Sequence, residues 1–160
     1  MSYYHLAQVC KNGHLINSTA DTDISFNKKY CPDCGAETIT NCPNCGFPIH
    51  GKCEIDGVVF IGDTTKVDKY CYNCGTPYPW TKNSLLSMTA LIYEEETLSD
   101  SQKQIIADSL PDIICETPNT NLASIRLKRF LSKAGLFVAD GVRQFIIDFG
   151  CELAKKTIGL

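Results

Sequence analysis

The chain has 160 residues, enough for one ordinary domain or two small ones, and eight of its ten cysteines lie before residue 75, which favours two. Residues 1–5 contain no basic region followed by an apolar run, so we expect a cytoplasmic protein with reduced cysteines rather than a secreted disulfide framework. No 18 consecutive residues are apolar, so we expect no transmembrane helix.

The net charge of −3 is unevenly distributed along the chain. Residues 1–80 hold six lysines and eight acidic residues. Residues 81–116 hold two lysines and seven acidic residues, and residues 117–160 hold seven basic and three acidic residues. Two bound Zn²⁺ ions on seven thiolates would bring the first segment to about −5, which disfavours a phosphate backbone as its partner. The simplest interpretation of the other two segments is that these two helical stretches, of opposite charge, pack against each other.

The first elements are a strand over residues 3–9 and a tight metal-binding turn, or knuckle, from Cys10 to His14. The Asn-Gly pair inside this Cys-x3-His step suits a turn with positive φ, and a return strand follows at residues 15–16. The polar segment 17–29 is expected to be a loop. His5 has no evident partner and is interpreted as a surface or packing residue.

Three Cys-x2-Cys-Gly knuckles follow, at Cys31–Cys34, Cys42–Cys45 and Cys71–Cys74. The spacing puts two thiolates on one turn, and the glycine admits the left-handed residue that closes it. Between the last two knuckles, residues 52–55 and 58–61 flank an Asp-Gly pair, which predicts a β-hairpin.

Four pairs of soft donors are what two tetrahedral Zn²⁺ sites require. The predicted ligands of these two structural ions are Cys10, His14, Cys31, Cys34, Cys42, Cys45, Cys71 and Cys74. We favour sequential pairing, with the first two knuckles on one ion and the last two on the other, as in zinc ribbons. Cross-braced pairing, as in RING-type domains, and nested pairing, with the two central knuckles on one ion, remain alternatives.

The other candidate residues favour a structural role. Catalytic zinc keeps one position open for water, and here four donors close each site, so we expect no catalytic residue and no small-molecule substrate. Cys53, three residues after His50, is interpreted as a hairpin side chain, and Cys115 and Cys151 as buried small residues. Trp80, in the run Tyr-Pro-Trp after the last knuckle, is interpreted as a hydrophobic plug rather than an exposed recognition site.

After residue 80 the pattern becomes helical. Asn83 or Ser84 can cap a first helix that extends to about residue 96, and a capping box begins a second helix over residues 100–110, which Pro111 is expected to end.

A third helix is capped near Asn119, ends near Gly135 and is predicted to bury Leu122, Ile125, Phe130 and the stem of Arg129. The fourth, over about 136–156, carries a broad apolar stripe formed by Val138, Val142, Phe145, Ile146, Phe149 and Leu153. The fold class is therefore α+β, with a small N-terminal double zinc ribbon of β-hairpins and knuckles over residues 1–80 and a bundle of about four helices over residues 81–160.

The knuckle sequences together with Pro77-Tyr-Pro-Trp80 and Ser109-Leu-Pro-Asp112 resemble a family of small bacterial proteins classed as a domain of unknown function. The resemblance covers nearly the whole chain and implies a bacterial source and paired zinc knuckles. It implies no established activity.

The function predicted from these residues is a non-enzymatic zinc-binding adaptor that binds another protein or a second copy of itself. Nucleic-acid binding is an alternative, because Arg126, Lys128, Arg129 and Lys133 lie close together in sequence, although we favour a solvated helix face as their explanation. A RING-like component of a protein-modification pathway is a further alternative that depends on cross-braced pairing.

Overall fold

The computed structural model describes residues 2–59, 62 and 65–160. The chain forms two compact units, Met1–Asn83 and Ser84–Leu160. All strands of the described residues lie in the first unit, and helices dominate the second. This is the α+β class expected from the sequence.

The first unit contains two small antiparallel sheets. Their strands are β1 (Ser2–Leu6), β2 (Gln8–Cys10), β3 (Leu15–Asn17), β4 (Thr38–Ile39) and β5 (His50–Ile55). Strand β1 pairs with β5, and β2 lies between β3 and β4. The single strand predicted over residues 3–9 is interrupted at Ala7, whose N–H donates to the carbonyl of Ile49 at 2.9 Å instead of continuing one ladder.

The predicted hairpin over residues 52–61 is replaced, in the described residues, by pairing of β5 with β1. Cys53 lies opposite Tyr4 in this register. A tight turn does form at the Asp-Gly pair, where Gly57 has a φ of 78° and the N–H of Val58 donates to the Ile55 carbonyl at 3.0 Å. Residues 60 and 61 of the expected second arm lie outside the described residues.

The core of the first unit is small and includes metal-ligand candidates. Its buried members are Ala7, Val9, Cys42, Ile49, Cys71, Tyr78 and Trp80. Trp80 is 4% exposed, stacks on Tyr78 and donates its indole N–H to the carbonyl of Asp68 at 2.8 Å. It is therefore a core residue and not an exposed recognition side chain.

The helices number five in the described residues, against the expected four. They are α1 (Pro79–Tyr93), α2 (Asp100–Ile114), α3 (Thr120–Leu131), α4 (Leu136–Phe149) and α5 (Glu152–Ile158). The extra helix arises because the segment predicted as one helix over 136–156 breaks at Gly150. The backbone there is extended, and the next residue, Cys151, donates its N–H to the Ile113 carbonyl at 2.9 Å.

Two predicted helix boundaries also differ from the structure. Helix α1 begins at Pro79, a residue type suited to a first turn, rather than near residue 83. Pro111 does not end α2, which continues to Ile114. A proline inside a helix costs about 3 kcal/mol, whereas burying Ile113 and Ile114 contributes roughly 1.5–3 kcal/mol each, so packing outweighs the lost hydrogen bond. The predicted capping box of α2 is present at Ser99 and Gln102.

Helix α3 buries Phe130 as predicted, but its other buried residues differ from the predicted ones. Ala123, Ser124, Leu127, Phe130 and Leu131 are buried. The predicted core residues Leu122 and Ile125 are instead 50% and 45% exposed. The apolar spacing was compatible with both faces, and the packing of α2 and α5 against α3 selected the one that carries Leu127.

The acidic and basic helical segments pack against each other, as expected. Helices α2 and α3 pack together, but no ion pair among the described residues joins the acidic segment 81–116 to the basic segment 117–160. None of the described helices combines the length and apolar character needed to cross a membrane.

Candidate metal centres

The three Cys-x2-Cys-Gly knuckles have one backbone geometry. In each, the glycine has a φ between 70° and 75° and donates its N–H to the carbonyl of the first cysteine at 2.8–2.9 Å. The N–H of that cysteine donates to the carbonyl five residues later, as from Cys31 to Ala36 at 2.8 Å. The knuckle is thus a miniature hairpin, and a side chain larger than hydrogen at the glycine would strain it.

The first knuckle closes one residue sooner. The N–H of Gly13, with a φ of 93°, donates to the carbonyl of Cys10 at 2.8 Å, and the Cys10 N–H donates to the carbonyl of His14 at 3.0 Å. The N–H of His14 reaches the Cys10 sulfur at 3.2 Å. The Cys-x3-His spacing therefore brings a thiol and an imidazole to one side of the turn.

The eight candidate ligands form two groups in sequential order. One contains Cys10, His14, Cys31 and Cys34, and the other contains Cys42, Cys45, Cys71 and Cys74. Within each group all four ligand atoms lie within 4.8 Å of one another. Neither group joins the first knuckle to the third or contains both central knuckles, as the cross-braced and nested alternatives require.

Two separations within each group match those of a tetrahedral site. Two thiolates bound at 2.3 Å on a tetrahedral ion lie about 3.8 Å apart, and a thiolate and an imidazole nitrogen about 3.6 Å apart. The Cys10–Cys34 and Cys42–Cys74 sulfur separations are both 3.8 Å, and Cys45–Cys71 is 3.6 Å. The Nδ1 atom of His14 lies 3.4 Å from the Cys31 sulfur. These groups can hold metal ions without rearrangement, and Nδ1 is the nitrogen that faces the ligands.

Each group has a buried side and an exposed side. The first cysteine of every knuckle is buried, whereas Cys34 and Cys74 are exposed. Burial raises the pKa of Cys10, and it raises that of Cys42 to about 11. The Ala36 N–H lowers the pKa of Cys34 to about 6. The hydroxyl and N–H of Thr76, with the Asn44 amide, lower the pKa of Cys74 to about 5. The exposed thiols of Cys34 and Cys74 are therefore ionised at neutral pH, whereas those of Cys10 and Cys42 must lose a proton to bind a cation.

Three asparagines that sequence reasoning missed donate to sulfur atoms of the opposite knuckle. The amide of Asn12 lies 3.4 Å from the Cys34 sulfur. Asn44 donates to Cys74 at 3.6 Å, and Asn73 donates back to Cys45 at 3.7 Å. Such donors disperse thiolate charge and orient the ligands.

A sequence signal for these donors does exist. The residue before the second cysteine is Asn44 in the third knuckle and Asn73 in the fourth, and Asn12 stands inside the first. The second knuckle carries Asp33 before its second cysteine instead of an asparagine. The corresponding ligand of the first knuckle is the neutral His14, which has no negative charge to disperse. The recurrence of asparagine before the second cysteine therefore indicated amide donors to the sulfur ligands.

The remaining candidates lie outside both groups. The ring of His50 stacks between Tyr4 and Tyr72, with centroid distances of 4.2 and 3.8 Å, and so links the β1–β5 sheet to the fourth knuckle. Cys53 is half-buried on β5. The prediction that Cys115 and Cys151 are buried fits only in part, because both are half-buried, at the end of α2 and the start of α5.

His5 does have partners, contrary to expectation. It is 6% exposed, and its Nδ1 lies 3.1 Å from a carboxylate oxygen of Asp21. Its Nε2 lies 3.4 Å from Glu54, without hydrogen-bond geometry. The imidazole therefore ties the loop after β3 to strand β1, and its role is structural.

Residues 3–158 match the model of a family described as "Uncharacterized protein conserved in bacteria (DUF2321)". The chain belongs to this family. Comparison with the curated proteins and with the solved structures finds no match. Membership confirms the resemblance seen in the sequence, and the two four-ligand groups are consistent with the paired knuckles which that resemblance implied.

Proposed function

We propose that each four-ligand group binds one structural Zn²⁺ ion and that the protein is a non-enzymatic cytoplasmic scaffold that binds another protein or a second copy of itself. The observation that carries this proposal is the closed donor set. Each group presents four soft ligands at tetrahedral separations, which leaves no coordination position for water or substrate.

The donor chemistry supports zinc over other divalent ions. Thiolate and imidazole ligands in a tetrahedral set suit Zn²⁺, whereas Mg²⁺ and Ca²⁺ prefer oxygen. A four-thiolate set also suits iron, but the group of three cysteines and His14 has the composition typical of structural zinc. When bound, the ions would supply rigidity, because the core around the knuckles is too small to order them by itself.

Exposed apolar side chains support a binding role. In the second unit Leu136 and Phe137 are 82% and 81% exposed at the start of α4, and Leu122 and Ile125 are half-exposed on α3. Single exposed apolar residues are common, but adjacent ones on one surface are typical of interaction sites.

The test combines metal analysis with partner capture. Elemental analysis of the purified protein is expected to find two zinc equivalents, and Cys10→Ser and Cys42→Ser are each expected to lose one. Cys115→Ser, outside both groups, is the control and is expected to retain two. Affinity capture with the tagged protein, together with light scattering, should then find a specific partner or a dimer. Fewer than two zinc equivalents, or a strict monomer with no specific partner, would contradict the proposal.

Nucleic-acid binding is the second candidate, and one observation favours it. Arg126, Lys128 and Arg129 are exposed on α3 and form no ion pair with the described residues. Binding of a mixed-sequence oligonucleotide that weakens steeply with salt would support this candidate. Absence of binding at low salt would remove it.

A further inference from the structure

The second unit contains a groove between α2 and α3 that none of the described residues fills. A cavity of about 170 Å³ lies between the two helices. Its floor is apolar and consists of Leu98, Ile105, Ile106 and Phe130. Ile105 is 48% exposed, although it is a large aliphatic residue in the middle of a helix. The floor therefore presents apolar surface that burial against a partner would remove from water.

Three cations border this cavity. Arg126, Arg129 and Lys133 follow one another at helical spacing along α3 and the turn after it. All three are exposed, and none forms an ion pair with a described residue. Cations at this spacing fall on one side of the helix, so their charges act together on whatever occupies the groove.

The groove continues along the helix pair. A second cavity of about 170 Å³ is bordered by Arg126, Leu122 and the acidic residues Asp108 and Asp112. The start of α2 thus lies beside the end of α3, and the end of α2 lies beside the start of α3. The two helices are therefore antiparallel. From Asn119 to Lys133 the groove spans roughly 20 Å at 1.5 Å per residue, which is about four turns of a helix.

We propose that this groove binds an acidic amphipathic helix of a partner protein. The apolar floor of the first cavity accepts apolar side chains at helical spacing, and the three unpaired cations select acidic residues beside them. Asp108 and Asp112 at the far end require that the acidic residues lie toward Lys133, which sets the direction of the bound helix. A phosphate backbone would be repelled by those two carboxylates and would make no favourable contact with the apolar floor.

This proposal rests on the proposed scaffold function and names the surface and the chemistry of its partner. It is tested by selecting from a displayed library of helical peptides of about 16 residues with the full-length, zinc-loaded protein. The enriched peptides are expected to be amphipathic and acidic. Arg126→Glu and Arg129→Glu are each expected to weaken binding of a selected peptide at least tenfold, and Ile105→Ser to weaken it similarly through the floor.

The matched control is Lys156→Glu, an exposed charge reversal on α5 outside the groove, which is expected to leave affinity unchanged. Helical circular dichroism establishes that each variant is folded. Enrichment of neutral or basic peptides, or affinity insensitive to the three groove variants, would overturn the proposal. The proposal would also be overturned if the protein formed an oligonucleotide complex or a homodimer and the same charge reversals abolished it. Either result would assign the groove to another occupant.

The two proposals fail differently. If the wild-type protein captures a specific partner from its host and the groove variants capture it equally well, the scaffold function stands and the groove assignment is wrong. If the protein lacks zinc or captures no partner, the scaffold function itself fails.

Discussion

At the scale of single residues, thiolate charge is the main electrostatic problem of the metal centres. A divalent ion leaves the group of four cysteines with a charge of −2 and the group with His14 with −1. The four-cysteine group receives two asparagine amides, from Asn44 and Asn73, whereas the other receives one, from Asn12. The number of amide donors therefore follows the charge to be dispersed.

Removing both donors should weaken metal binding at the four-cysteine group. The double variant Asn44→Ala and Asn73→Ala is expected to lower zinc affinity there by about tenfold or more, because outer hydrogen bonds of this kind typically contribute that much. Competition with a chromophoric chelator measures the effect. Asn83→Ala, an exposed asparagine on α1, is the control and should not change affinity. Equal affinities for double variant and wild type would contradict a supporting role for these amides.

Zinc affinity of the same group should rise with pH. The raised pKa of Cys42, about 11, means that this thiol is protonated at pH 6–8 and must release its proton to the solvent on binding. At least one released proton per ion makes the affinity at least about tenfold stronger per pH unit. Cys74, with a pKa of about 5, is already ionised in this range and adds little. Chelator competition at pH 6, 7 and 8 measures the slope, and an affinity independent of pH would contradict the assignment.

At the scale of elements, the close approach of β5 to the segment after β1 and to the loop after β3 requires a glycine at position 51. A Cβ atom on Gly51 would lie 2.1 Å from the carbonyl oxygen of Ser18 and 3.0 Å from the backbone of Ala7. The loop after β3 is held here as well, since the N–H of Lys52 donates to the same Ser18 carbonyl at 2.8 Å. Only a residue without a side chain permits this approach.

Gly51→Ala is therefore expected to destabilise the first unit by at least about 2 kcal/mol, because backbone atoms cannot move aside cheaply. Urea unfolding followed by the fluorescence of Trp80 measures it. The control is Gly135→Ala before α4, whose unfolding is followed by helical circular dichroism because it lies in the second unit; there the nearest atom to the added methyl group lies 3.7 Å away and the expected cost is no more than about 1 kcal/mol. A midpoint for Gly51→Ala equal to that of the wild type would show that these backbone segments adjust.

At the scale of the whole molecule, the two units rely on different sources of stability. The first has a core of a few side chains, two of which, Cys42 and Cys71, belong to a metal group. The second has a core of its own, including Ile92, Leu110, Leu127, Val142 and Ile146. We therefore expect the stability of the first unit, and not that of the second, to depend on bound metal.

Chelation should unfold one unit selectively. With excess chelator, the emission of the buried Trp80 is expected to shift to longer wavelength as the knuckles open, while most of the helical signal at 222 nm persists. Re-addition of Zn²⁺ should restore the emission, and addition of Mg²⁺ serves as the control. An unshifted emission after complete metal removal, or simultaneous loss of the helical signal, would contradict separate sources of stability.

Several features could be predicted because local interactions determine them. The grouping of Cys31 with Cys34, the turn at Gly57 and the capping box at Ser99 depend on residues a few positions apart, whose hydrogen bonds form in any context. The break at Gly150 could not be predicted in this way. The apolar stripe runs through it, and the break becomes favourable only when Cys151 bonds to Ile113 of another helix.

The sequence by itself determined the eight metal-ligand candidates, the α+β class and the membership of an uncharacterised bacterial family, because ligand spacing and turn chemistry are local. Only the tertiary structure decided which knuckles share a centre, how many helices form and which face of α3 is buried. Those outcomes depend on contacts between residues distant in the chain, and the exposed Leu122 follows from them, since an apolar periodicity specifies a stripe but not the neighbour that covers it.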